Sequence, residues 1–243
     1  MLLPEGRETS VLASHGRLYR VDVLDRVFGS TLGKHTPGLD RFGRRVFALG
    51  PSTLFDHWAE LESGARCDEA LVDEPLYLPI ARADAVVLEI DVTERRFTRV
   101  EGPLRGSGAS RPRVRGSMLS FTPALAIVLG EEIFAPKLED ASAAIVGVTL
   151  ALLWGVDGTR DFGAHIGPLL RTPAPEEVAL TLGSERLRSP LEPATVAALV
   201  ARAARIVPRV PGDVLLLPVA AARPAPPERI TLSSDGMGSL IAT

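Results

Sequence analysis

The residues best suited to chemistry in this chain are His57 and Glu60, in the run Phe55-Asp56-His57-Trp58-Ala59-Glu60. Side chains three residues apart in a helix lie on one face, so the carboxylate can reach the imidazole. A carboxylate in that position fixes the imidazole tautomer and raises its basicity, as a general base requires. The alternative is an exposed helix pair that contributes about 0.2–0.5 kcal/mol. The pair predicts a general base without specifying a reaction.

A second group that could bind substrate is basic. Residues 102–116 are rich in Gly, Ser, Pro and Arg, and this composition predicts a loop. Guanidinium groups bind carboxylate or phosphate through paired hydrogen bonds, and they can stabilise a developing oxyanion. We therefore predict that Arg111, Arg113 and Arg115 bind an anionic substrate, with Arg160 as a further candidate. The alternative is a solvated loop without a ligand.

Other acidic residues and histidine lie in turn-rich sequence before Gly167. Asp161 and His165 could form a second acid/base pair, or a displaced metal site together with Asp157. Their spacing matches no recognised ligand pattern, so charged surface loops are the favoured interpretation. The same holds for the acidic residues at 131–132 and 139–140.

Short strands are the elements that must position these groups. The clearest helix is predicted over 193–206, where Pro193 suits the first turn and the apolar residues form one stripe. Ser52 or Thr53 could cap a helix that carries the His57 and Glu60 pair. A further short helix is predicted around 138–144. Predicted strands cover 10–13, 18–23, 45–49, 85–91, 97–100, 125–129, 145–154, 169–170, 178–182, 186–187, 214–217, 230–232 and 239–241.

Length and composition narrow the class of protein. The chain has 243 residues, is 46% hydrophobic and carries a net charge of −3, which argues against a nucleic-acid-binding protein. One cysteine, Cys67, fits a reducing cytosol, and no secretory signal is apparent at the N-terminus. The longest apolar run, 141–154, is too short to cross a bilayer. Arginine dominates over lysine, as in bacteria with GC-rich genomes. We expect a cytoplasmic bacterial protein with no membrane partner.

The order of several motifs resembles the fumarylacetoacetate hydrolase superfamily. After Asp56-His57-x-x-Glu60 come an apolar run into Gly130, then Gly147-Val-Thr and Gly167-Pro168-Leu-Leu. The predicted helix at 193–206, then Pro211-Gly212-Asp213 and Gly236-Met-Gly238, complete the series. The resemblance implies an α+β, mainly β fold with a mixed β-roll core over residues 45–243, preceded by a small β segment at 1–44. It also implies a homodimer that acts on keto acids or diketo acids.

The sequence departs from that family at the metal site. Most members hold a divalent ion with three carboxylates, and the matching positions here are Thr122, Ala124 and Leu153. One hydroxyl and two alkyl side chains do not supply the oxygen ligands that Mg²⁺, Ca²⁺ or Mn²⁺ prefer. We therefore expect no cofactor, although one of these ions would bind if the family pattern held despite the lost ligands.

Two functions fit these observations. The first is a metal-independent enzyme in which His57 and Glu60 form the base and arginine holds the anion, and a substrate of secondary metabolism would suit a site so different from the family's. Its reaction would be C–C hydrolysis, decarboxylation, isomerisation or cyclisation of a keto-type substrate. The second is a non-catalytic family member that binds a small molecule or serves as the partner of an active paralogue.

Overall fold

The structure is a computed structural model of the whole chain, and it describes residues 11–14, 17–27, 59–61, 63–64, 67–72, 86–91, 96–157, 162–171, 174–210 and 212–243. The chain divides into two compact units, residues 1–77 and 78–243. The division predicted at residue 44 stays a prediction, because the residues around it lie outside the described part. Among the described residues, no helix has the length and apolar character needed to cross a membrane.

The first unit begins with an antiparallel strand pair, β1 (Val11–Ser14) and β2 (Arg17–Arg20). The strand predicted over 18–23 is wrong beyond Arg20, where a helix begins: α1 spans Val21–Val27. Burial explains this difference, because Val21 and Leu24 lie three residues apart and are both buried, as on one helix face. Leu24 belongs to a small core that joins this region to residues further along the unit; its other members are Tyr19, Val23, Leu61, Cys67 and Ala70.

A large mixed sheet dominates the second unit. Its strand order is β4-β3-β11-β6-β7-β8-β5, and β12 adds a short pairing to β6. The strands are β3 (Val87–Asp91), β4 (Arg96–Arg99), β5 (Leu104–Arg105), β6 (Leu119–Leu129), β7 (Ile145–Val156), β8 (Ala164–Ile166), β11 (Val214–Pro218) and β12 (Arg223–Pro224). Most neighbours are antiparallel, whereas β11 and β3 run parallel, and so do β5 and β8. The predicted mainly β, α+β class is confirmed.

A second sheet of the same unit is antiparallel with the order β10-β9-β13-β14. Its strands are β9 (Glu177–Leu182), β10 (Glu185–Pro190), β13 (Ile230–Ser234) and β14 (Gly238–Ala242). Two helices complete the unit, α2 (Leu138–Ala143) and α3 (Pro193–Ile206). The bounds of α3 are those predicted from its apolar stripe, and the buried stripe includes Val196 and Val200.

The main core lies on one face of the large sheet, between it, the second sheet and α3. Alternate residues of β6 and β7 supply large side chains to this core, among them Phe121, Leu125, Leu152 and Trp154. The opposite face of the same strands carries small residues such as Ala124, Ala126 and Ala151, which are also buried. This alternation follows from the two-residue period of a strand.

Two strand predictions are corrected by long-range pairing. Residues 169–170 are irregular, and the strand beside β7 is instead β8, a three-residue segment centred on His165. β6 begins at Leu119 rather than Leu125, so it continues through Pro123. Proline lacks a backbone N–H, which normally excludes it from a central strand. Pro123 is tolerated because β11 pairs with β6 only from Ala124 onwards and β12 pairs with it only before Thr122.

The turn before β11 is built around a buried ion pair. The Arg209 Nη1 atom lies 3.7 Å from Asp213 Oδ2, and both residues are almost fully buried. Asp213 also accepts hydrogen bonds from the backbone N–H groups of Val86 (2.9 Å) and Val210 (3.2 Å). Burial lowers the pKa of Arg209, and the charge of Asp213 opposes that shift. The carboxylate thus joins the start of β3 to the turn that precedes β11.

Candidate functional site

The three positions that match the family's metal carboxylates meet on one face of the large sheet. Thr122 on β6 lies directly opposite Leu153 on β7, and Ala124 lies opposite Ala151. Residues opposite each other in an antiparallel pair share a face, and so do residues two apart in one strand. Thr122, Ala124 and Leu153 therefore lie side by side, on the face turned away from the main core.

These side chains do not fit a divalent ion. Their exposed fractions are 3%, 0% and 1%, and together they offer one hydroxyl oxygen. A hard cation needs several oxygen ligands, commonly carboxylates. Within the described part of the chain, no group of three or more His, Cys, Asp or Glu side chains could hold a metal ion. That these positions correspond to the family's metal ligands stays a prediction from the order of the motifs.

The apolar residues next to this position divide between the two faces. Leu152 and Trp154 belong to the main core, where Trp154 stacks at a tilt against Phe121 with ring centroids 6.2 Å apart. Of the run 152–154, Leu153 alone lies on the face that carries Thr122. This part of the face consequently carries small groups together with Leu153 and Ile166, whereas the tryptophan side chain lies in the main core.

The strand pair β6–β7 ends close to the predicted anion-binding residues. The Met118 N–H donates to Asp157 Oδ1 at 3.2 Å, and the Asp157 N–H donates to the Met118 carbonyl oxygen at 3.4 Å. Arg113 and Arg115 precede this closure and are exposed. Thr122 lies three residues inside the strand from Leu119, about 10 Å along it. Arg160 and Asp161, which follow Asp157 in sequence, lie outside the described residues.

Arg111 is bound to the protein itself. Its guanidinium donates to the backbone carbonyl oxygens of Pro226 and Pro227, the latter at 2.5 Å. Its backbone N–H donates to the Thr243 carbonyl oxygen at 2.8 Å. The segment 107–111 is thus paired along the end of β14 rather than solvated. The role of Arg111 in substrate binding stays a prediction. To bind a ligand, its guanidinium would have to give up the hydrogen bonds to Pro226 and Pro227.

His165 is buried and held from both sides. The Trp154 indole N–H donates to His165 Nδ1 at 2.7 Å, and His165 Nε2 lies 3.0 Å from the carbonyl oxygen of Ala109. An indole nitrogen can only donate, so Nδ1 must accept and Nε2 must carry the proton that reaches Ala109. The ring is therefore neutral and joins β8 to segment 107–111. Asp161, its predicted acid/base partner, lies outside the described residues, so that pairing stays a prediction.

Protonation of His165 should destabilise the protein. Burial lowers the pKa of His165, and nearby Arg105 acts in the same direction, against the opposing effect of the hydrogen bond to Ala109. A histidine whose pKa is lower in the folded state loses its contribution to stability as pH falls through the unfolded value, about 6.5. We expect a smaller free energy of unfolding at pH 5.5 than at pH 7.5. Urea titrations of wild type and His165→Asn should show a weaker pH dependence in the variant; equal dependence would contradict the assignment.

The predicted dyad lies in the first unit. Glu60 is exposed, and residues 59–61 are helical, as expected for the segment that carries the pair. The Ser63 N–H donates to the Ala59 carbonyl oxygen at 2.9 Å, and the Ser63 hydroxyl donates to the Glu60 carbonyl oxygen at 2.7 Å. His57 lies outside the described residues, so its pairing with Glu60 stays a prediction.

Glu89 is a buried carboxylate that was predicted only as part of a strand and was given no role. Glu89 on β3 is 4% exposed and lies opposite Leu216, which in turn lies opposite Ala126. It therefore shares a face with Ala124 and Thr122, two strands away. The signal was present as an acidic residue within the apolar run Val86-Val87-Leu88-Glu89-Ile90. A buried carboxylate in such a run needs a structural or functional reason.

Comparisons with known proteins give the identity of the fold. No protein-family model and no curated protein matches this chain. Among solved structures, fumarylacetoacetate hydrolase from Exiguobacterium antarcticum has a TM-score of 0.67 and 15% identity, covering 100% of this chain and 96% of that one. Maleylpyruvate hydrolase from Sphingobium sp. SYK-6, in complex with manganese(II) and pyruvate, has a TM-score of 0.66 and 16% identity, covering 97% of each chain.

An isomerase is also similar. The structure of 5-carboxymethyl-2-hydroxymuconate delta-isomerase from Mycobacterium smegmatis has a TM-score of 0.56 and 18% identity, covering 67% of this chain and 77% of that one. The chain therefore has the fold of the fumarylacetoacetate hydrolase superfamily, as the order of its motifs predicts.

Proposed function

We propose that this protein is a metal-independent enzyme that acts on a keto acid or diketo acid, with His57 as general base and Glu60 as its supporting carboxylate. The observation that carries the proposal is the meeting of Thr122, Ala124 and Leu153 on one sheet face. If these positions correspond to the family's metal ligands, as the order of the motifs predicts, the side chains there supply none of its carboxylates. A positive charge for the substrate's oxyanion would then have to come from arginine.

Arg113 and Arg115 are the arginines that suit this role best. Both are exposed, and they precede the end of the strand pair that carries Thr122 and Leu153. Two guanidinium groups can hold a carboxylate through paired hydrogen bonds, as a divalent ion would hold it through direct coordination. Arg160 is proposed as a third contributor on the sequence evidence alone. The substrate would be a small keto acid, and the reaction would be C–C cleavage, decarboxylation, isomerisation or cyclisation.

A non-catalytic protein that keeps the fold for binding is the second candidate. The observation in its favour is the replacement of three ligand positions by a hydroxyl and two alkyl groups, all nearly inaccessible to solvent. The position of Trp154 weighs against it, since the large indole fills the main core and leaves the opposite face with small side chains. The two candidates differ in whether any keto acid is turned over.

Turnover of a panel of keto acids and β-diketo acids, followed by product analysis, tests the enzyme directly. We expect at least one substrate to react, and its methyl ester to react more slowly, because the ester lacks the carboxylate charge that arginine binds. We expect EDTA or added Mn²⁺ to change the rate by less than about twofold, since no carboxylate set is available to bind the ion. Loss of activity in EDTA with recovery in Mn²⁺ would refute metal independence. No turnover of any substrate would favour the binding protein.

A further inference from the structure

The exposed bend before β6 carries hydrogen-bond donors that the protein itself does not use. We call residues 113–117 the arginine bend: Arg113, Val114, Arg115, Gly116 and Ser117. All of them are exposed except Val114, which is half-buried. Among the described residues, the guanidinium groups of Arg113 and Arg115 form no hydrogen bond or ion pair, in contrast to that of Arg111. Two positive charges are thus available at one place on the surface.

The backbone of the arginine bend adds further donors. The N–H groups of Arg115, Gly116 and Ser117 have no acceptor in the part of the chain that the structure describes, and the Ser117 hydroxyl has no partner there either. Gly116 lies in the left-handed region with φ +74°, and a Cβ placed on it would meet nothing within 4 Å. Successive N–H groups in such a turn form a concavity that suits an anion.

Both ends of the arginine bend are fixed to the fold. Before it, the Arg111 N–H donates to the Thr243 carbonyl oxygen at 2.8 Å, and Pro112 is buried. After it, Met118 and Asp157 exchange two hydrogen bonds. Asp157 holds this position at φ 49°, which is uncommon for a residue other than glycine. A loop whose ends are already held loses less conformational entropy when it binds a ligand.

We propose that the arginine bend binds a doubly charged phosphate or phosphonate group. One planar carboxylate is satisfied by the paired N–H groups of a single guanidinium. Two guanidinium groups, a hydroxyl and several backbone N–H groups instead match the three terminal oxygens and the double charge of a phosphate. The group belongs either to the keto-acid substrate, in which case it rests on the proposed function, or to a separate phosphorylated ligand. Binding of the group itself does not depend on turnover.

Calorimetric titration with phenylphosphonate and with benzoate tests the ligand class, because the two probes differ only in their acidic group. We expect phenylphosphonate to bind the wild type about 10-fold more tightly or better, at a pH where it is doubly charged. Arg113→Gln and Arg115→Gln should each remove most of this preference. Arg186→Gln is the matched control, because Arg186 is exposed on β10 and also has no partner among the described residues. Equal affinity for the two probes, or an equal loss in Arg186→Gln, would overturn the proposal.

Two substitutions of Asp157 test the anchor at the end of the bend. Asp157→Asn and Asp157→Ala both remove a negative charge, but only asparagine can still accept the Met118 N–H and tolerate the positive φ. We expect Asp157→Asn to bind phenylphosphonate at least as tightly as wild type, and Asp157→Ala to bind it about threefold more weakly than Asp157→Asn. The same affinity in both variants would contradict the role given to the anchor.

Inhibition kinetics identify the source of the phosphate or phosphonate group. If phenylphosphonate competes with a keto acid that the protein turns over, the group is part of the substrate, and phosphonopyruvate should have a lower KM than pyruvate. If it binds without competing, the ligand is a separate phosphorylated molecule. An inactive protein that binds phenylphosphonate through Arg113 and Arg115 would refute the proposed enzyme and support this site. An active enzyme without that binding would refute this site alone.

Discussion

His57→Ala is expected to lower kcat/KM by about 10²–10⁴-fold on any keto acid that the wild type turns over, because the variant loses its general base. Substrate affinity should change much less, since arginine rather than His57 is proposed to hold the carboxylate. Steady-state kinetics with the best substrate of the panel measure both quantities. His35→Ala is a suitable control, because His35 lies in a predicted loop and has no assigned role.

Glu60→Gln tests the supporting role of Glu60 separately from that of His57, the proposed general base. The amide still accepts a hydrogen bond from the imidazole but carries no charge, so a smaller loss of kcat than in His57→Ala is expected. The acidic limb of the pH–rate profile should move to lower pH, because a neighbouring negative charge favours the protonated imidazole. Equal rates for wild type and His57→Ala would remove the dyad from the mechanism, even if the enzyme were active.

Asp213→Ala is expected to destabilise the second unit by about 3–5 kcal/mol, the usual cost of removing one partner from a buried ion pair. The variant would leave Arg209 buried without a counter-charge and would remove the acceptor for the N–H groups of Val86 and Val210. Unfolding in urea, followed by circular dichroism, gives the free energy. A loss below about 1 kcal/mol would show that Asp213 contributes little to this turn.

Removing the cation of this pair should cost less stability than removing the carboxylate. Arg209→Met removes the buried cation but leaves Asp213 bonded to its two backbone N–H groups. Among the described residues, Arg209 Nη1 has no hydrogen-bond partner, whereas Nε donates to the Val207 carbonyl oxygen at 2.9 Å, so the guanidinium is only partly satisfied. We expect a loss well below that of Asp213→Ala, or a gain, since apolar replacement of a buried ion often stabilises a protein. Losses of equal size would mean that the pair, rather than the carboxylate, holds the turn.

Much of the fold could be predicted from local sequence. The bounds of α3 followed from Pro193 and one apolar stripe, and the long apolar runs of β6 and β7 were recognised as buried strands. These features depend on residues close in sequence, where periodicity is a direct consequence of helix or strand geometry. The order of motifs was sufficient to indicate the superfamily fold, although no single motif was specific.

What local sequence could not supply was the pairing of distant segments. β8 has three residues, and His165 within it was interpreted as a surface charge, because nothing nearby shows that Trp154 binds it. The first three residues of α1 were predicted as strand because Val21 and Val23 alternate with a polar residue and valine favours strands, whereas burial selects the helix. Arg111 looked free to bind a ligand, but carbonyl groups more than a hundred residues later accept its hydrogen bonds.

The sequence by itself determined the residue types at the positions predicted to match the family's metal site, Thr122, Ala124 and Leu153, and residue types decide which ions can be bound. It also determined the candidate dyad of His57 and Glu60, through helical spacing. Only the tertiary structure decided that the three replaced positions lie on one face, because the register of β6 against β7 joins residues about thirty positions apart. A shift of one residue in that register would have turned Leu153 into the core and Trp154 towards the site.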